Sequence, residues 1–382
     1  MIPAKRLAVS GERIRATYDL ALPEEDARDR ARSIAVEQTI EFPADLIADD
    51  DDIRRHVLGR VESVEGLGPV HSRAVLSYAA ETTGSELPQL LNVLFGNCSL
   101  LPGVRLVGLD LPPAVLHSFR GPRFGLAGLR RLLHAPRRPL LASALKPMGL
   151  AAVDLASIAA EMVRGGVDLI KDDHGLANQP FAPWEMRVQA CAAAVRTANE
   201  ATGRHALYLP SLNGPADEVF ERARLARDAG AGGLLVLPGL TGFDGMRRLA
   251  EDDAIGLPIM GHPSFLGAFV TSPDAGIEHG LLFGTIYRLA GADITVFPGY
   301  GGRFSFSREA CASIADACRA PLGHLAPIYP APGGGMTVGR VPELMAFYGP
   351  DTALLVGGDL HRGDVADNAQ LMRAAVERAA TP

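Results

Sequence analysis

The 382-residue sequence predicts an α/β chain, a (β/α)8 TIM barrel preceded by a smaller α+β domain of ferredoxin-like type. Three observations predict it. Eight short β-like runs follow one another from about Pro139, amphipathic stretches of crossover length separate them, and the first 125 residues keep a different rhythm.

The eight runs are PLLASALKP, VDLIKDD, HALYLPSL, GGLLVLPG, LPIMGHP, ADITVFPG, HLAPIYPAPG and TALLVGG. Between them lie helical patterns such as Asp154 to Arg164, Glu185 to Ala201, Ala216 to Ala229 and Ser307 to Arg319, each long enough to return the chain to a parallel neighbour. Eight such units predict a closed barrel over residues 126–382. An open doubly wound sheet also alternates strand and helix, but it has no reason to stop at eight and usually starts with a glycine-rich phosphate turn.

Residues 1–125 read as a separate α+β domain. A strand-like Ile14 to Leu20 precedes a helix-like Pro23 to Gln38, and β-rich pieces follow at Arg60 to Glu65, Arg73 to Ala80 and Val104 to Leu111. The acidic run Asp49 to Asp52 lacks the alternating ligands and turn glycine of a calcium loop, so it reads as a solvated loop or helix start.

Composition narrows the function classes. A hydrophobic content of 47% supports a sizeable core, and a net charge of −7 without a lysine/arginine cluster gives no footprint for nucleic acid. No apolar run approaches the ~20 residues of a membrane span. The cysteines Cys98, Cys191, Cys311 and Cys318 show no CxxC spacing, and the N-terminus lacks a signal-peptide core. A cytoplasmic protein is expected.

In such barrels the chemistry sits at the C-terminal ends of the strands. Strand one ends in Lys146, strand two in Lys171, Asp173 and His174, and strand five in His262. Strand six leads into PGYGGR with Arg303, strand seven into Gly334 and Gly335, and strand eight into Gly357 and Gly358. A single lysine or glycine there often does no more than solvate a rim or make a turn. Two lysines and carboxylates on adjacent strands are another matter, because they shift one another's pKa. The glycine pairs suit a phosphate, since bare backbone N–H groups approach its oxygens and a helix N-terminus favours its charge.

These residues resemble the large subunit of ribulose-bisphosphate carboxylase (RuBisCO) over essentially the whole chain. The motifs are FGN at Phe95 to Asn97, LKPMGL at Leu145 to Leu150, GGVDLIKDDHGLANQPFAPW at Gly165 to Trp184, HPSFLGAF from His262, PGGGM from Pro332 and VGGD from Val356. The resemblance implies a homodimer with shared active sites, in which Asn97 and Glu37 of one subunit serve the barrel mouth of the other. It implies that Lys171 takes up carbon dioxide as a carbamate and binds Mg²⁺ with Asp173, and that Lys146 handles protons at the carbon being enolised.

Departures from the family pattern qualify this. His174 stands where the family has a glutamate, which removes one anionic oxygen and makes the site less suited to hard Mg²⁺, leaving a borderline metal or no metal open. Met148 replaces the family's second lysine, and Pro263 replaces the arginine that holds a second phosphate. Arg303 aligns near the loop lysine that reaches over added carbon dioxide, and reads instead as a phosphate or carboxylate clamp, tied to Glu37. The losses resemble the form IV group, the RuBisCO-like proteins, which keep enolisation without carbon fixation.

Within that group the resemblance implies three chemistries: enolisation of a diketo methylthiopentane phosphate, isomerisation of 5-methylthioribulose 1-phosphate, and decarboxylation, carboxyl transfer or hydrolysis of 3-oxo-isoapionate 4-phosphate. The enolases carry a lysine where this sequence has Asn97, which argues against that reaction. Proton transfer shared by Lys146 with Lys171 or His262 suits an isomerase. A lyase needs mainly stabilisation of the resulting enolate. A non-catalytic sugar-phosphate binder is the alternative outside enzymology, and Lys146, Lys171 and Asp173 weigh against it.

Overall fold

The computed structural model describes residues 6–304 and 306–380. They fall into two compact units: the described residues up to Phe119 together with Leu266–Leu282, and those from Arg120 to Phe265 together with those from Phe283 onward.

The first unit is built on β1 (Arg13–Leu20), β2 (Arg60–Gly68), β3 (His71–Ala79) and β4 (Val104–Asp110). β1 alternates strictly, burying Ile14, Ala16, Tyr18 and Leu20 on one face, the period of two that a half-buried strand imposes. It pairs antiparallel with β3 on one side and β4 on the other, and β2 forms the outer edge beyond β3. That edge carries Arg60, Glu62 and Glu65, charges that discourage pairing with another chain. Helix Glu24–Glu37 covers the sheet with Ala27, Ala31, Ile34 and Ala35, and the Tyr18 hydroxyl donates to the Leu94 carbonyl at 2.6 Å. The acidic run is a helix start: the Asp51 carboxylate accepts from the Ile53 N–H at 2.8 Å and Asp49 pairs with Arg54 at 3.0 Å.

The second unit holds eight parallel strands: β5 (Leu140–Leu145), β6 (Leu169–Asp172), β7 (Leu207–Leu209), β8 (Leu234–Val236), β9 (Ile259–Gly261), β11 (Ile294–Pro298), β12 (Tyr329–Gly333) and β13 (Ala353–Val356). They run in the order β7-β6-β5-β13-β12-β11-β9-β8, and a parallel bridge from Ser211 to Leu235 joins the two ends into a barrel. Leu140, Ala142, Leu169, Leu209, Leu235, Met260, Ile294, Val296, Ala331 and Leu355 fill its core. Helices Ala152–Gly165, Trp184–Thr202, Val219–Asp228, Arg308–Arg319 and Val365–Ala380 are among those flanking it. No helix among the described residues is long and apolar enough to cross a membrane.

Two details differ from the sequence reading. The third crossover helix begins at Val219 rather than Ala216, because a turn closed by the Glu218 N–H on the Pro215 carbonyl occupies the preceding residues. The segment Leu266–Leu282 groups with the first unit instead of the barrel, since the two-residue strand β10 (Gly276–Ile277) pairs parallel with β4. The first unit correspondingly ends at Phe119, where the sequence placed the boundary near residue 125.

Candidate active site

The register of β5 against β6 sets Ala144 beside Lys171 and Leu145 beside Asp172. One step further on, Lys146 meets Asp173, and Lys146 Nζ lies 2.8 Å from Asp173 Oδ1. Because side chains alternate along a strand, Lys171 and Asp173 share one face of β6 while Asp172 turns to the other.

Asp172 is fully buried and saturated. It accepts from Arg187 Nε at 3.2 Å, the Tyr208 hydroxyl at 2.8 Å and the Ser211 N–H at 3.0 Å. Burial pushes its pKa up, against the pull of Arg187 and these hydrogen bonds. Arg187 is itself 0% exposed and donates to the Ala177 and Ala182 carbonyls at 2.8 Å each, which shapes the loop that follows the strand.

Lys171 is 2% exposed, and its ammonium donates to the Asp172 carbonyl at 2.9 Å. Burial lowers its pKa to about 8; nearby Asp173 opposes the shift and Lys146 adds to it. Asp173 moves the other way from what burial alone dictates, because hydrogen bonds from His174 and Lys146 and the charge of Lys171 hold it well below the usual carboxylate range. Lys146, Lys171 and Asp173 therefore share one electrostatic environment.

Two imidazoles complete it. His174 Nδ1 lies 3.5 Å from Asp173 Oδ1, and its ring stacks on His262 with centroids 4.9 Å apart and planes 12° off parallel. His262 Nδ1 accepts from the Ser264 N–H at 3.2 Å and contacts the Ser264 hydroxyl at 2.9 Å. A backbone N–H only donates, so Nδ1 is unprotonated and Nε2 carries the hydrogen. Burial first, then Lys171 and His174, keep the His262 pKa well below its ordinary value. His262 is thus a neutral donor.

The glycine turns close the ring of strand ends. β13 runs beside β5 with Val356 opposite Ser143, so Gly357 and Gly358 follow directly beside the strand that ends at Lys146. At both positions an added Cβ meets nothing within 4 Å, so the space beside the backbone is open. Gly334 and Gly335 hold positive φ values of 92° and 65°, the left-handed turn that glycine permits without a steric cost. The Gly299 N–H donates to the Gly333 carbonyl at 2.7 Å, tying the sixth and seventh strand ends together.

Lys146, Lys171, Asp173, His174 and His262 are brought together, with the glycine turns on the same rim. Arg303 lies over the Phe304 ring, its guanidinium carbon 4.9 Å from the centroid. Asn97 belongs to the first unit, where its amide donates to Glu37 at 2.9 Å, so Glu37 is engaged by Asn97. Sequence reasoning missed His361, whose Nε2 lies 3.2 Å from the Ala144 carbonyl and whose pKa falls through burial and the nearness of Lys146. The only signal for it was its place three residues after the last strand's glycine pair.

A metal would find one carboxylate, one imidazole and one buried amine. Among the described residues no cluster of three His, Cys, Asp or Glu side chains is arranged to hold an ion. A carbamate formed on the amine, whose lowered pKa favours the neutral form that reacts with carbon dioxide, would add anionic oxygens beside Asp173. So completed, the donor set fits a divalent cation that keeps part of its water shell, as Mg²⁺ does.

Comparison with known proteins agrees with this geometry. The profile of the family described as "Ribulose bisphosphate carboxylase large chain, catalytic domain" matches residues 125–380. A ribulose bisphosphate carboxylase-like protein 1 of Rhodopseudomonas palustris is 42% identical, over 91% of this chain and 93% of its own length. The 5-methylthioribulose-1-phosphate isomerase of Rhodospirillum rubrum is 41% identical over 91% of each chain, and a 2,3-diketo-5-methylthiopentyl-1-phosphate enolase of Geobacillus thermodenitrificans is 37% identical over 95% and 92%. The crystal structure of a Rubisco-like protein from Rhodopseudomonas palustris superposes with a TM-score of 0.87 at 41% identity, covering 96% of this chain and 98% of that one. A strand-two lysine and aspartate in a barrel mouth, a matching catalytic-domain profile and these relatives lead to one conclusion: the chain belongs to the ribulose bisphosphate carboxylase large-chain family, among its RuBisCO-like proteins.

Proposed function

We propose that this protein enolises a phosphorylated keto-sugar without fixing carbon dioxide and passes the abstracted proton to a neighbouring carbon, as an isomerase of the 5-methylthioribulose 1-phosphate class. The observation that carries this reading is the Lys146–Asp173 pair at 2.8 Å beside buried Lys171. The similarity to the Rhodospirillum rubrum isomerase supports the choice of reaction, and Asn97, in place of the lysine expected of the enolases, points the same way.

Lys146 in its neutral form removes the proton α to the ketone, becomes the ammonium that pairs with Asp173, and delivers the proton to the neighbouring carbon. His262 offers its Nε2–H, a neutral donor, to the oxygen on which charge develops. The N–H groups of Gly334, Gly335, Gly357 and Gly358 hold one phosphate, and Arg303 clamps a further anionic group. Asn97, held by Glu37, serves the site of the partner subunit in a homodimer. The carbamate of Lys171, Asp173 and His174 would hold Mg²⁺ or a similar divalent cation. When bound, such an ion polarises the ketone as a Lewis acid.

Incubation with 5-methylthioribulose 1-phosphate in D2O tests the reading. Deuterium is expected at the carbon next to the ketone, together with an isomerised product. Release of carbon dioxide from a 3-oxo sugar-acid phosphate, without exchange into any phosphorylated ketose, would replace the isomerase with a lyase. Binding without turnover of either substrate would leave a sugar-phosphate binder.

A further inference from the structure

The opposite end of the barrel holds a second polar cavity. It measures about 240 Å³ and is lined at the N-terminal ends of β5, β6 and β7 by His134, Arg138, Gly166, Asp168, Arg204 and Arg373, among others. Arg138 precedes β5, Asp168 immediately precedes β6, and Arg373 comes from the C-terminal helix Val365–Ala380.

Three arginines line the cavity around one carboxylate, which two of them already saturate. Asp168 Oδ2 accepts from Arg138 at 2.6 Å and from the Leu141 N–H at 2.8 Å; Oδ1 accepts from Arg138 at 2.7 Å and from Arg373 at 3.2 Å. Arg373 also donates to Glu377 at 2.6 Å and to the Gly166 carbonyl at 3.0 Å. This network explains Arg138 and Arg373 as a staple between the C-terminal helix and the barrel floor.

Arg204 is not part of the staple. It is partly buried, and among the described residues its guanidinium forms no hydrogen bond or ion pair. A Cβ built on Gly166 would lie 2.9 Å from Arg204 Nη1 and 3.1 Å from Arg373 Cγ, so the end of Arg204 and the stem of Arg373 both border this turn. Asp168, the one carboxylate lining the cavity, is already engaged by Arg138 and Arg373, which leaves the Arg204 cation there without a counter-ion of its own. The His134 and His205 rings, 3.7 Å apart, wall one side of the cavity with further ring N–H groups.

We propose that this cavity is an anion site for a phosphate group, with Arg204 as its principal ligand and Arg373 and the two histidines around it. Planar guanidinium forks match tetrahedral oxyanions in paired hydrogen bonds. The volume is below the ~300 Å³ at which sites for drug-sized molecules begin, so the occupant is inorganic phosphate or the phosphoryl end of a small ester. It lies away from the mouth that carries Lys146 and Lys171, and its occupancy does not depend on which reaction the mouth performs.

Calorimetric titration of the full-length protein with inorganic phosphate is the test, with glycerol phosphate as the ester. The wild type is expected to bind two equivalents per chain, one at the glycine turns and one here. A Gly357→Asp variant, whose carboxylate repels phosphate from the mouth, is expected to keep one. Adding Arg204→Ala to that background is expected to weaken the remaining site about tenfold or more, the loss of a charge-assisted bond, while Arg204→Ala alone leaves turnover and thermal midpoint unchanged. Competition by glycerol phosphate would assign the site to esters, and its absence to free phosphate. The proposal is overturned if Gly357→Asp abolishes all phosphate binding in a folded protein, or if Arg204→Ala alone leaves the wild-type stoichiometry intact.

Discussion

Asp172 and Asp173 are neighbours in sequence and opposites in environment. Asp172 faces outward from β6, fully buried, and is met by Arg187, Tyr208 and Ser211; Asp173 faces the mouth and is met by Lys146 and His174. Burial wins at Asp172 and raises its pKa, whereas hydrogen bonds and cations win at Asp173 and lower it. One strand thus separates anchoring from chemistry at a single peptide bond. The outward residue fixes the strand end, and the inward ones remain available to a substrate.

The separation can be broken from either side. The largest effect is expected on the outward face. Arg187→Met leaves the Asp172 charge buried without its partner and should cost about 3–5 kcal/mol of stability, read from denaturant unfolding; a loss under about 1 kcal/mol would mean that Tyr208 and Ser211 alone suffice. On the inward face, Lys146→Ala should lower solvent-proton exchange by about 100-fold or more with little change in unfolding. Retained exchange would transfer the base to Lys171.

Smaller effects sharpen the picture through pH. With Lys171 near 8, the neutral amine that reacts with carbon dioxide grows as pH rises through that value. A ¹³C carbamate signal is expected to increase over the same range and to be absent in Lys171→Met. His262 is expected to give the smallest effect. It stays neutral in the folded protein while the unfolded chain protonates near its ordinary ~6.5, so the unfolded state binds more protons and stability falls as pH drops below that value. Thermal midpoints of His262→Gln should show a shallower fall, and an unchanged slope would place the proton on another group.

Much of the barrel was legible because its signal is local. Strand ends that change abruptly from apolar to polar, at Lys146, Lys171 and His262, mark the mouth without any knowledge of pairing. The outward role of Asp172 was also readable, since a period of two already sets it opposite Lys171 and Asp173. Its partner was not: Arg187 looks like one more cation on an amphipathic helix until the fold buries it. Arg138, Gly166, Arg204 and Arg373 are far apart in sequence and share no motif, so their cavity exists only in three dimensions. The pairing of Gly276–Ile277 with β4 was equally hidden, because two residues carry no periodicity.

That short pairing has a consequence for dissecting the protein. A fragment ending at Phe119 would lack Gly276–Ile277, so the outer hydrogen-bonding groups of β4 along Arg105 and Leu106 would be left bare. Exposed strand edges recruit other chains. Self-association is therefore built into any attempt to isolate the first unit by a single cut, and a soluble version would have to bring residues 266–282 along on a linker.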